Sequence, residues 1–128
     1  MHTETHRIDG HDVHEHVLEV PLDHTGATPG TIELFAREFV RDGGRARPRL
    51  VWFQGGPGNR ANRPDSIGGW LDRALEEYRV VLVDQRGTGL STPADRQTLA
   101  GVGDAAAQAA YLAHFRADSI VADAEALR

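Results

Sequence analysis

The sequence predicts an α/β fold in which an antiparallel hairpin leads into a parallel βαβ sheet. Two observations carry this. Residues 49–54 (Arg-Leu-Val-Trp-Phe-Gln) and 79–84 (Arg-Val-Val-Leu-Val-Asp) are short, nearly continuous apolar runs. Such runs suit strands buried on both faces, as in a parallel sheet. Between them Ile67, Trp70, Leu71, Ala74, Leu75 and Tyr78 recur at helical spacing. The span 49–84 therefore reads strand–loop–helix–strand, a unit that crosses over with right-handed sense.

The flanking elements follow in order. Residues 1–13 read as a polar, frayed N-terminal arm, and the folded pattern occupies 14–128. Val17, Leu18, Val20 and Leu22 suggest a strand with Pro21 near its end. Residues 23–30 are turn chemistry, rich in Gly, Pro, Asp and Thr. The next segment alternates, with Ile32, Leu34, Ala36 and Glu38 on one face and Glu33, Phe35, Arg37 and Phe39 on the other. The two strands form a hairpin over about 14–40. A helix is expected over about 67–77, capped by Asp65 or Ser66. Two more helices follow, at 104–115 and 118–128, the second capped by Asp118. The last ends at Arg128 where βα alternation calls for another strand, so the chain is expected to be truncated and to leave an exposed sheet edge.

Bulk properties narrow the function. The formal charge is 14 − 19 = −5, which argues against nucleic acid as a partner, because phosphate binding needs a basic surface. No apolar run approaches the ~18 residues of a membrane helix. The start is too polar for a signal peptide. With no cysteine, there is neither a disulfide framework nor thiolate chemistry. A cytoplasmic location is the expectation.

The chemistry concentrates in two glycine loops at strand C-terminal ends, where open α/β sheets bind ligands. In the first, Gln54 precedes Gly55, Gly56, Pro57 and Gly58. Glycines free the backbone to aim N–H groups into a cleft, and Pro57 stiffens the loop. An oxyanion hole is one use, worth about 3–4 kcal/mol per donor. Phosphate binding is the rival, but neither the P-loop ending nor G-x-G-x-x-G is present. A plain tight turn is the third reading. In the second loop Asp84 ends the strand and Arg86 follows in a turn built by Gly87 and Gly89. A local Asp84–Arg86 ion pair stapling this turn is expected. These residues read as scaffold, not as reacting groups.

Gln-Gly-Gly-Pro-Gly after an apolar strand, then Asp84-Gln-Arg-Gly-Thr-Gly-Leu-Ser, with the helical stretch ending Ala-Glu-Ala-Leu-Arg128, resembles the N-terminal part of the prolyl aminopeptidases. These are also called proline iminopeptidases, members of the α/β-hydrolase superfamily. The opening hairpin is similar to that of the larger, actinobacterial-type members. The resemblance covers residues 14–128. It implies a serine hydrolase that cleaves an N-terminal residue, often proline, from peptides with a free N-terminus, with no metal and no cofactor. It further implies that the backbone N–H of Gly56, in the loop with Gly55, is an oxyanion donor. Gln54 stands where many members have His, and Leu90 where Arg or Asn is more usual before the Ser.

The catalytic elbow G-x-S-x-G is absent, because Ser66, Ser91 and Ser119 lack the flanking glycines. The triad Ser, Asp and His are therefore expected beyond this chain, and the 128 residues alone are expected to be inactive. Alternatives are a fragment of another α/β-hydrolase, an esterase or epoxide hydrolase, and a non-catalytic binding or degenerate chain. His2, His6, His11, His14 and His16 read as a solvated His-rich arm, not a metal site, although His14 and His16 share a strand face. Trp52 and Trp70 are expected in the core, and His114 as a packing residue.

Overall fold

The computed structural model describes residues 1–55 and 58–128. In chain order its elements are strands β1 (His2–Ile8), β2 (His11–Pro21), β3 (Thr31–Val40) and β4 (Arg49–Phe53), helix α1 (Gly69–Leu75), strand β5 (Arg79–Asp84), and helices α2 (Arg96–Ala100), α3 (Ala105–Leu112) and α4 (Ala117–Leu127). One sheet runs β1-β2-β3-β5-β4. β4 and β5 are parallel, with Leu50 beside Val80 and Trp52 beside Leu82. The other neighbours are antiparallel.

The expected hairpin is present as β2 and β3, paired from Asp12–Val40 to Pro21–Thr31. The βαβ unit is present as β4–α1–β5. Alternation along β3 sends its two sets of side chains to two cores. Leu18, Val20, Ile32, Leu34, Ala36, Val81 and Val83 pack with Leu127 of α4 on one face of the sheet. Val13, Phe39, Val80 and Leu82 pack with Leu71 and Leu75 of α1 on the other. At about 0.8 kcal/mol per buried methylene, these two layers dominate what holds the strands together.

Four expectations need correction. Residues 1–13 are polar but not frayed, since His2–Ile8 is a strand paired along its length with β2. The turn is made by Asp9 (φ 48°) and Gly10 (φ 78°), the left-handed pair that two-residue hairpins favour. The helix caps differ too. α1 starts from Gly68 and α4 from Arg116, neither with a side-chain cap bond, so Asp65, Ser66 and Asp118 do not cap. Asp95 and Thr98 instead form a capping box on α2. Finally, Trp52 and Trp70 are 43% and 46% exposed, stacked with ring centroids 4.7 Å apart. Trp52 stands on β4 at the sheet edge and Trp70 of α1 packs over it, outside both cores. On the opposite face of that edge, a hollow of about 270 Å³ lies between β4 and α4, with Val51, Phe53, Val121 and Ala124 in its wall.

A buried carboxylate sits near the N-terminal ends of β4 and β5. Glu38 is 2% exposed. It accepts from Arg49 Nε at 2.9 Å and Nη2 at 3.2 Å, and His16 Nε2 lies 2.9 Å away. Arg79 is 3.4 Å away. Burial raises its pKa, but the bonds from His16 and Arg49 and the charges of Arg49 and Arg79 outweigh it and hold it at about 2. Arg49 also donates to the carbonyls of Leu127 and Arg128, tying β4 to the end of α4.

Candidate functional site

The parallel pair delivers both glycine loops to the same end of the sheet. Gly56 and Pro57 lie outside the described residues, so the proposed oxyanion donor has no described geometry. The remainder of the two loops does. Gln85 Nε2 donates to the Gln54 carbonyl at 3.2 Å, bridging the strand ends directly.

Asp84 is the clamp. Its carboxylate, fully buried, accepts from the backbone N–H of Ala61 at 2.9 Å, past the first loop, and of Leu90 at 2.9 Å, in the second. Arg63 closes the arrangement through both terminal nitrogens and lies over the Phe35 ring, 5.0 Å from its centroid. Gly89 is required here. At its φ of 54° an L side chain is strained, and a Cβ would collide with the Asp84 carboxylate.

Arg86 anchors the loop from below. Its side chain is fully buried. Nε and Nη2 form a bidentate pair with Asp123 of α4, at 2.7 and 2.6 Å. Nη1 donates to the carbonyls of Leu22 and His114, both at 2.7 Å, and Nη2 to that of Pro21 at 3.0 Å. His24 Nε2 lies 2.7 Å from Asp123 Oδ1. The expected Asp84–Arg86 pair is therefore not formed. Each residue reaches away from the other, Asp84 to Arg63 and Arg86 to Asp123. Gly87 lies against Phe115, where a Cβ would come within 3.0 Å of the ring.

Ser91 is structural. It is 2% exposed, donates to the Asp84 carbonyl at 2.6 Å and accepts from Phe35 N–H at 2.9 Å. Its hydroxyl splices β3 to the second loop. Beside these loops lies a cleft of about 210 Å³ whose wall includes Gly58, Gln85, Thr88, Leu112, Phe115 and Ile120. Ligand clefts of open α/β sheets lie in this position. Among the described residues no group of three His, Cys, Asp or Glu side chains is placed to hold a metal ion. His14 and His16 meet Thr5 and Thr3 instead. His114 is half-buried, and its carbonyl takes Arg86.

The scaffold partners Arg63 and Asp123 are absent from the sequence reading. A basic residue in a loop and an acidic one in a helix carry no local mark of pairing 21 and 37 positions away.

The chain is 49% identical over 124 residues to a proline iminopeptidase of Aeromonas sobria, covering 94% of this chain and 29% of that protein. Over 115 residues it is 46% identical to the proline iminopeptidase aneH of Aspergillus aculeatus, covering 87% of this chain and 25% of that protein. Over most of its length the chain is similar to part of these prolyl aminopeptidase-type proteins. No protein-family model matches it. Its mixed sheet and helices are the N-terminal portion of an α/β-hydrolase fold, and it spans under a third of the length of these relatives. Within this portion of the fold the two clamped loops sit at the C-terminal ends of β4 and β5.

Proposed function

We propose that the chain is the front portion of a serine aminopeptidase that releases N-terminal proline, or another residue, from peptides. Its task is to shape the oxyanion loop. The carrying observation is that Gln85 and Asp84 fasten the segments on either side of that loop to the end of β5. A donor is useful in catalysis only if it is held before the charge develops, and such preorganisation supplies the rate. In this reading the N–H of Gly56, in the loop with Gly55 and Gly58, meets the oxygen of the tetrahedral intermediate. Asp84, Arg86, Gly87 and Gly89 hold the neighbouring loop. The nucleophile, its base and the amine-binding cap are supplied by sequence after Arg128.

The test is hydrolysis of a proline arylamide. The 128-residue chain alone is expected to show none, and the protein encoded with the reading frame downstream of Arg128 is expected to show it. Steady turnover by the chain alone, abolished by a serine-directed inhibitor, would overturn the division of labour. In the longer protein, Gly56→Pro is expected to lower kcat by about two orders of magnitude through loss of one donor. Circular dichroism distinguishes this from misfolding, and near-normal turnover in a folded variant removes Gly56 from the site.

A further inference from the structure

The edge of the sheet farthest from the glycine loops is β1, and it is long and regular for an edge. Natural edge strands are blunted by Pro, charged side chains, bulges or shortness, because a free row of N–H and C=O groups is a template for pairing, and of these devices β1 has only the charges of Glu4 and Arg7. β1 runs for seven residues, His-Thr-Glu-Thr-His-Arg-Ile, with no Pro, no Lys and an unbroken register to β2. Its end is braced, because Arg7 pairs with Asp12 and with Asp42 at 3.1 Å.

We propose that β1 is a homodimer edge, where two copies of the chain join antiparallel about a twofold axis through Thr5. The register follows from backbone geometry. In an antiparallel pair, a residue with outward N–H and C=O groups faces another such residue, and these alternate along the strand. Two identical strands must therefore pair about an axis through a residue, never between two residues. The axis through Thr5 overlaps the whole of His2–Ile8. It sets Glu4 against His6 twice, Thr3 against Arg7 and His2 against Ile8. No like charges are opposed. An axis through Glu4 opposes two carboxylates, one through His6 opposes two imidazoles, and both shorten the overlap. Opposite-charge and hydrogen-bonded cross-strand pairs are favourable and like-charge pairs are not, and an imidazole can donate a hydrogen bond to the Glu4 carboxylate.

The chain's own contacts leave room for this. Within one copy, Glu4 stands across from Glu15, which is already paired with Arg37. Among the described residues, the side-chain partner of Glu4 is His2, at a long 3.4 Å. His6 of the second copy offers it a better partner on the open side. The result is one continuous ten-stranded sheet from two five-stranded ones, with the glycine loops at its two far ends.

Cross-linking tests it, helped by the absence of cysteine from the chain. Thr5→Cys places two thiols directly opposite, with Cα atoms about 4.5–5.5 Å apart and within disulfide range. Thr3→Cys is also on the exposed edge strand and lies on the same strand face. Its two thiols would lie four residues apart along the strands, about 13 Å, which is out of reach. Under mild oxidation, Thr5→Cys is expected to form the covalent dimer at least about ten times faster than Thr3→Cys. Adding Glu4→Lys to Thr5→Cys should slow the reaction, and adding His6→Glu to that pair should restore it. Equal rates for the two cysteine positions, whether both fast or both negligible, would overturn the proposal, and so would a rate indifferent to the charge swap. Circular dichroism of each variant confirms that the sheet is intact.

Discussion

The two ends of the parallel pair β4–β5 each hold a buried carboxylate, and they hold it differently. At the N-terminal end, the partners of Glu38 are the side chains of His16, Arg49 and Arg79. These come from strands or strand starts, so the node ties strand to strand. At the C-terminal end, Asp84 takes two backbone N–H groups and one arginine. There the node fixes the path of loops. Side-chain partners can shift with little consequence for the backbone, whereas a carboxylate gripping backbone amides dictates where the chain runs. One end is constructed for cohesion and the other for shape, and the shaped end is where the glycine loops lie.

Three substitutions would break or sharpen this contrast. The largest effect is expected from Arg86→Leu. It leaves Asp123, 1% exposed, without its cation, and breaking a buried pair from one side costs about 3–5 kcal/mol. A urea midpoint unchanged from the parent chain would show that Arg86 is not an anchor. Asp84→Asn comes next, at about 1–3 kcal/mol, because the amide cannot accept from all four donors. Its distinctive sign is local: the amide hydrogens of Ala61 and Leu90 should exchange faster, while those of β2 and β3 stay protected. Uniform loss of protection would make Asp84 an ordinary core group.

The smallest effect belongs to Glu38→Gln, since Arg49 and Arg79 keep contact with solvent. Here pH separates the two states. The folded pKa of Glu38, about 2, lies below its ordinary 4.5. Its stabilisation is therefore complete above pH 4.5 and is lost as pH falls toward 2. The parent chain should lose stability across that window more steeply than Glu38→Gln. Parallel curves would remove Glu38 as a source of acid sensitivity.

Much of the fold was legible because burial leaves a periodic trace. The continuous runs at 49–54 and 79–84 marked β4 and β5, and the alternation of 31–40 marked β3. β1 left no such trace. Its residues are nearly all exposed, so no apolar set alternates, and the Asp9-Gly10 turn pair is lost in a segment that reads as a frayed arm. Trp52 and Trp70 misled for the opposite reason. Their apolar character implies cover, and here they cover mainly each other. At the site, the glycine loops could be read from composition, but the clamp could not. Asp84 and Arg86 sit two residues apart and carry opposite charges, so the sequence favours the nearest pairing. β5 ends between them in a turn that sends one toward residues 61–63 and the other beneath α4. Only the path of the chain decides that.

Arg86 also has a bearing on time. It joins Pro21, Leu22, His24, His114 and Asp123, residues 28 to 65 positions away from it in the chain. Contacts of such long range are costly to close early. The node is therefore expected to close after the hairpin and the βαβ unit have formed and to open first on the way out, an order that kinetics on an Arg86 variant would test. Its contribution falls on the rate of unfolding, not of folding, so a chain lacking it folds at nearly its usual speed and is short-lived once folded. Stopped-flow measurements on Arg86→Leu would show this as a raised unfolding limb over an almost unmoved refolding limb. Arg86 is in that sense a latch that sets the lifetime of the fold after the strands have set its form.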